Sequence, residues 1–301
     1  MTSAPEALPK ILLTGATGAL GVHLTPALRR LGACRPLGFR AMPAGGAQVD
    51  LTDREATWDL LGREQPDFIV HAAAKADVDD CESDPEAAHR LNVLATRHLV
   101  DWARRNRPSL RFLYISTDHV YDAPGASAED SVQPVNVYAL TKLWAEDLAL
   151  MLERSLVVRT SFFGSGTARR RTFVDWVVES CRGKRPVTLF DDVFFNPLEV
   201  GQLCDLIVAL IERDARGVYN LGAAGGGLTK GDFIRLLVER FGLPATGLRP
   251  GRVEDVALRA RRPKDMRMAL SKAEALLGRR LPSVAEGLER LTLDGPQSRA
   301  S

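Results

Sequence analysis

The sequence has little that would tie it to a membrane, a polyanion or an oxidising compartment. No apolar run approaches the roughly 18–20 residues of a membrane span. The opening "MTSAPEALPK" has no apolar core of signal-peptide length. Charge of one sign does not dominate: 40 Lys and Arg against 38 Asp and Glu leave a net +2, which gives no footprint for nucleic acid. Only 4 cysteines occur, Cys34, Cys81, Cys181 and Cys204, without the spacing of a metal site. They read as reduced thiols, and the protein as cytoplasmic. Internal repeats and low-complexity blocks are missing. What is there is an ordinary globular chain of 301 residues, 45% apolar, long enough for about two domains.

Short apolar runs alternate with segments of helical periodicity. "KILLTG", "RPLGFR", "PDFIVHAAA", "LRFLYIST" and "SLVVRTS" read as strands. Between them, "LGVHLTPALRRLG", "DREATWDLLGREQ", "DPEAAHRLNVLATRHLVDWARRN" and "VNVYALTKLWAEDLALML" read as helices. Strands that are apolar throughout are buried on both faces. The prediction is therefore an α/β fold with a Rossmann-type doubly wound parallel sheet and a small C-terminal α/β substrate domain. The expected division gives residues 1–160 and 196–222 to the dinucleotide-binding domain, with "GVYNLG" returning to the sheet. Residues 161–195 and 223–301 form the second. There, Thr229 and Asp232 are placed as a capping box.

"TGATGALG" puts Gly15, Gly18 and Gly21 between the first strand and the first helix. Glycines allow a tight turn and close approach to a pyrophosphate, and the helix N-terminus offers free N–H groups. Thr17, Ala19 and Leu20 complete the expected contact loop. The second strand ends at Arg40 with no acid beside it. A guanidinium suits a 2′-phosphate, so NADPH is the expected coenzyme, with NADH left open. Asp50, followed by Leu51, is too far along to hold the ribose and is placed near the adenine. In "NVYALTK", Tyr138 and Lys142 stand four apart and share one helix face. A phenol there can pass a proton to a carbonyl oxygen, and a nearby ammonium would lower its pKa. Thr117 emerges at the carboxyl end of "YIST", where open α/β sheets keep their ligands.

These motifs together, with "VDDCESDPEAAHRLNV", "PVNVYALTK" and "RRPKDMRM", resemble the extended short-chain dehydrogenase/reductases. Within them they resemble the dTDP-4-dehydrorhamnose reductase family. The resemblance implies Thr117, Tyr138 and Lys142 as catalytic residues, with Lys142 also on the nicotinamide ribose. It implies Asn92 as the support of that lysine and Ala72, Ala73 and Ala74 as the cofactor lining. Val78, Asp118, His119, Phe162, Asn196 and Arg262 would border a nucleotide-linked keto sugar. The chain departs from the family at His119, where Tyr is usual, and at Phe162, where Trp is usual. "FFNPL" also replaces Gly-x-Pro-Thr. No metal is expected, and a homodimer is left open. "GFRAMP" and "RRPKDMRM" also resemble the β subunit of methionine adenosyltransferase, a binding protein on the same fold; an epimerase or a secondary-metabolite ketoreductase would use it too. The acids at 77, 79, 80, 82 and 84 read as a solvated loop. Arg169, Arg170 and Arg171 are candidates for a diphosphate, against a solvated loop.

Overall fold

The computed structural model describes residues 8–39, 45–166 and 171–293. Seven strands form one sheet: β1 (Lys10–Thr14), β2 (Ala33–Gly38), β3 (Ala47–Gln48), β4 (Phe68–His71), β5 (Arg111–Ile115), β6 (Ser155–Thr160) and β7 (Gly217–Leu221). Their order is β7-β6-β5-β4-β1-β2-β3, and every pairing is parallel. The winding reverses between β1 and β4, which opens a crevice above their carboxyl ends.

Alternation along the strands feeds two apolar layers. Ile11, Leu13, Val70, Leu113 and Val158 enter the larger core. Leu12, Ile69, Phe112 and Val157 enter the other. Helices α1 (Gly21–Leu28) and, further along, Val200–Glu212 cover the first face, while α2 (Arg54–Glu64) and two helices named below cover the second. Such two-sided burial is what makes the strands read as unbroken apolar runs.

The long helix expected from "DPEAAHRLNVLATRHLVDWARRN" is interrupted. After α3 (Val78–Ser83), it begins as α4 (Pro85–His89), widens into a π-turn over Arg90–Leu94, and resumes as α5 (Ala95–Asn106). The wide turn carries Asn92 inward, where it is 1% exposed; such bulges frequently mark functional sites. Next come α6 (Val137–Leu150) and α7 (Phe173–Arg182). Then follow α8 (Val200–Glu212), α9 (Lys230–Phe241), α10 (Ser271–Leu277) and α11 (Val284–Arg290). Three two-stranded pairs lie beyond β6. Phe162–Phe163 runs with Leu198–Glu199, Val187–Phe190 with Leu248–Gly251, and Phe194–Phe195 against Leu228–Thr229. Thr229 and Asp232 form the expected capping box, with Thr229 Oγ1 donating to Asp232 over 2.7 Å. Phe233 ties α9 to two of these strand pairs, its ring 5.0 Å from Phe163 and 5.7 Å from Phe195. The larger apolar core runs unbroken from β1 to α11. Among the described residues, no helix is long and apolar enough to cross a membrane.

Candidate active site

The turn after β1 is built by glycine. Gly15 has φ +69°, a left-handed conformation that disfavours other residues. A Cβ there would lie 2.6 Å from the Ala73 nitrogen, and one on Gly21 would lie 2.1 Å from the Gly15 carbonyl oxygen. The Gly18 amide closes the turn onto that same oxygen over 2.9 Å. Unlike α2, α6 and α9, α1 starts without a side-chain cap, so its first amides have no side-chain acceptor. A backbone turn this close, leading into an uncapped helix, fits a dinucleotide pyrophosphate. Ala72 and Ala73 lie against the turn, at the end of β4.

One strand over, β5 ends at Ile115 and the chain continues into Ser116 and Thr117. Thr117 caps the short turn Asp118–Val120 by accepting the His119 amide over 3.2 Å. Asn136 caps α6, accepting the Ala139 amide over 2.9 Å, and its Nδ2 donates to the Arg261 carbonyl over 3.0 Å. That start fixes the helical phase, so Tyr138 and Lys142 both turn toward the end of β5. The Tyr138 phenol shares a hydrogen bond with Thr117. The His119 ring stands edge-on to it, 5.5 Å between centroids.

Electrostatics here are governed by burial. Desolvation pushes Tyr138 up to about 12, against the lowering effect of the Thr117 bond. Desolvation brings Lys142 down to about 7, opposed by the Glu146 carboxylate one turn further along α6. Asp118 is raised to about 6 by desolvation, opposed by Lys230 and by bonds from Ser161 and Thr117. Burial lowers His119 to about 3, helped by Lys230 and Arg262. A protonated phenol and a hydroxyl thus meet at the carboxyl end of β5, an arrangement able to donate a proton to a ligand oxygen.

Comparison with known proteins agrees with this fold. Residues 9–294 match the RmlD substrate binding domain family. The chain belongs to the RmlD family. It is 29% identical to an Escherichia coli dTDP-4-dehydrorhamnose reductase, over 93% of this chain and 96% of that one. It is 31% identical to the rat methionine adenosyltransferase 2 subunit beta, over 91% and 84%. A crystal structure of a hypothetical dTDP-4-dehydrorhamnose reductase from Sulfolobus tokodaii superposes with a TM-score of 0.81, at 28% identity, over 91% and 97%.

Several expectations are corrected in this RmlD-family chain. Lys142 does not lower the phenol: its Nζ donates to the Ile115 carbonyl over 2.7 Å and sits 4.1 Å from the Tyr114 ring centre. Asn196 has nothing to offer a sugar. Its Nδ2 donates to the Ala223 and Met268 carbonyls, and its Oδ1 accepts the Met268 amide; it straps two loops together. Arg262 forms a two-pronged ion pair with Asp79, at 3.0 and 2.8 Å, and also donates to the Ala260 carbonyl. It clamps α3 beside the crevice. The acids around α3 are solvent-exposed at Asp77, Asp80 and Asp84, as expected, and several also have structural partners. Asp77 and Asp84 cap helices, Asp79 holds Arg262, and Glu82 accepts the Val137 amide. Asp50 accepts the Thr52 amide and hydroxyl on Oδ1. Leu51 offers its carbonyl to His98. Asn92 reaches the backbone of Lys75 and the hydroxyl of Thr141, the residue before Lys142 on α6. Val78 opens α3, and Phe162 lies on the strand pair beyond β6. Arg171 pairs with Glu179 at 2.8 Å. Arg40, Arg169 and Arg170 lie outside the described residues.

The sequence reading missed Lys230. It enters at the first position of α9, and its ammonium faces Asp118, with the Phe195 ring 5.9 Å away. The Thr229 cap was the available signal, since it fixes where the next side chain leaves the helix.

Proposed function

We propose that this chain reduces the 4-keto group of a dTDP-linked 4-keto-6-deoxysugar with NADPH. The observation that carries the reading is the pairing of half-buried Tyr138 with buried Thr117 at the carboxyl end of β5, in the sheet whose β1 leads into the glycine turn, with the phenol pKa raised by desolvation. Family membership and the dTDP-4-dehydrorhamnose reductase relatives support the substrate class.

NADPH, when bound, supplies the hydride. The turn Gly15–Gly21 would hold its pyrophosphate, Ala72–Ala74 would line it, and Lys142 would reach the ribose. Thr117 fixes the substrate carbonyl oxygen by a hydrogen bond. Tyr138 gives its proton to that oxygen as negative charge develops there, a step worth about 10²–10⁴-fold in rate. Asp118, His119 and Lys230 form the polar wall that meets the sugar, and the Arg262–Asp79 clamp keeps α3 against it.

The test is NADPH oxidation across a panel of nucleotide-linked keto sugars, with Tyr138→Phe as control. The parent turns over dTDP-4-keto-6-deoxysugars. The variant binds NADPH with unchanged affinity and loses at least about 10²-fold in kcat. Unchanged kinetics in the variant would reject the assignment. A second reading is favoured by the 31% identical subunit relative: an NADP-binding subunit of another enzyme. Tight NADPH binding with no turnover on any keto sugar would select it.

A further inference from the structure

His71 ends β4, is 0% exposed, and takes no part in the chemistry above. Both ring nitrogens are nonetheless bonded. Nδ1 meets the Thr14 hydroxyl at 2.6 Å and Nε2 meets the Thr96 hydroxyl at 3.0 Å. The surrounding bonds decide which nitrogen carries the proton. Thr96 donates its own hydrogen to the Asn92 carbonyl over 2.7 Å. Its oxygen is thus left to accept, and His71 Nε2 must donate. Nδ1 is then bare and accepts from Thr14. The Thr14 oxygen in turn receives the Ala73 amide over 3.2 Å.

The chain of bonds joins two parts of the site. At one end is Ala73, packed against Gly15 in the cofactor turn. At the other is Asn92 in the π-turn. The Asn92 Nδ2 donates to the Thr141 hydroxyl over 3.0 Å, and Thr141 donates to the Tyr138 carbonyl over 2.9 Å. Thr141 also precedes Lys142. Strand register supports the path, because Thr14, His71 and Tyr114 are neighbours in one row across β1, β4 and β5, and the Lys142 ammonium lies on the Tyr114 ring.

We propose that His71 is a positioning residue that locks the cofactor-binding turn to the catalytic helix through the Thr14 and Thr96 hydroxyls, as its Nε2–H tautomer. Burial keeps the ring neutral, with its pKa lowered to about 3, and the neighbouring Lys142 charge acts the same way. An imidazolium would donate at both nitrogens and reverse the Thr14 bond, leaving the Thr14 hydroxyl hydrogen without the acceptor that the neutral ring provides.

The kinetic side of this inference rests on the reductase reading, so NADPH binding is measured separately by fluorescence titration. His71→Phe keeps bulk and removes both nitrogens; NADPH Kd rises and kcat falls, each by about fivefold or more. Two further variants divide the ends. In His71→Asn, the amide oxygen can replace Nδ1 toward Thr14, so Kd stays within about twofold while kcat falls about fivefold. In His71→Gln, the amide nitrogen can replace Nε2 toward Thr96, so Kd rises while kcat is largely kept. A purely structural role would instead depress both variants alike, in step with their melting temperatures, and that result overturns the proposal. Nitrogen-15 NMR of the parent, with His71 assigned by its loss in the variants, must show the Nε2–H tautomer at neutral pH. The Nδ1–H form or an imidazolium would also overturn it. If no keto sugar is turned over, the reductase reading fails, while the Kd pattern and the tautomer still decide this one.

Discussion

Glu146→Gln tests the network behind the catalytic residues. The Glu146 carboxylate accepts Arg159 Nε at 3.0 and 3.1 Å and Arg159 Nη2 at 2.6 Å, and it also takes the Ser116 hydroxyl. Side-chain exposure is 4% for Arg159 and 1% for Glu146, so solvent screening is slight. A Gln amide keeps one acceptor but turns an N–H group toward the guanidinium, which keeps the Tyr121 hydroxyl and Glu129 carbonyl but loses the carboxylate that balances its buried charge. Such a loss costs about 3–5 kcal/mol, a large share of a typical 5–15 kcal/mol. Urea unfolding at pH 7 measures it directly. A loss below about 1 kcal/mol would refute the view that this pair is a desolvated unit.

The same substitution reports on Lys142. Glu146 is the group that opposes desolvation there. Removing its charge disfavours the cationic lysine, so the pKa falls further below about 7 and the alkaline limb of NADPH oxidation moves to lower pH. The stability sign is separate. A lysine whose folded pKa lies below its unfolded one costs stability while the unfolded chain holds the proton, so that cost fades as pH rises from about 7 to about 10.5. The double variant Glu146→Leu with Arg159→Met recovers stability, since no charge is left unpaired, yet keeps the displaced limb. Recovery of both together would show that the limb followed folding and not the Lys142 charge.

Gly21→Ala places a Cβ 2.1 Å from the Gly15 carbonyl oxygen; the cofactor turn must open, and NADPH affinity falls by about tenfold or more in a titration. Arg262→Ala frees Asp79, whose carboxyl the guanidinium holds below the usual carboxylate range. The pair is partly exposed, so it contributes only about 1 kcal/mol. That contribution is present above the ordinary Asp pKa and lost as pH falls through the lowered one. Parent and variant should therefore differ in urea at pH 7 and converge in strong acid; a difference that persists there would refute the ion-pair account.

The sequence made the chemistry of Tyr138, Thr117 and the glycine turn readable, because each depends on local periodicity: a strand end, a helix face, a strand–turn–helix. What it hid depends on distant pairing. Arg262 finds Asp79 across 183 residues, and Asn196 finds Met268 across 72. Either side chain alone looks free for a ligand. Lys142 looked like the partner of the phenol because helical spacing puts the two on one face. The Ile115 carbonyl, supplied by another element, took the ammonium instead. His71 reads simply as the last residue of a buried strand until Thr14 and Thr96 are brought to its two sides.

The raised Tyr138 pKa also makes the two directions differ in their dependence on pH. A phenol with pKa about 12 is ionised roughly once in 10⁵ molecules at pH 7, so any path that starts from phenolate begins about 7 kcal/mol uphill. Reduction starts from the protonated phenol and avoids that cost. Alcohol oxidation, which opens an epimerase cycle, incurs it in full. The forward kcat/KM should thus be insensitive to Tyr138 ionisation between pH 6 and pH 9, whereas oxidation of the product alcohol by NADP⁺ should climb about tenfold per pH unit over the same range. An oxidation rate that is flat with pH would mean that the bound coenzyme or substrate already ionises the phenol, and the argument for a dedicated reductase would fail.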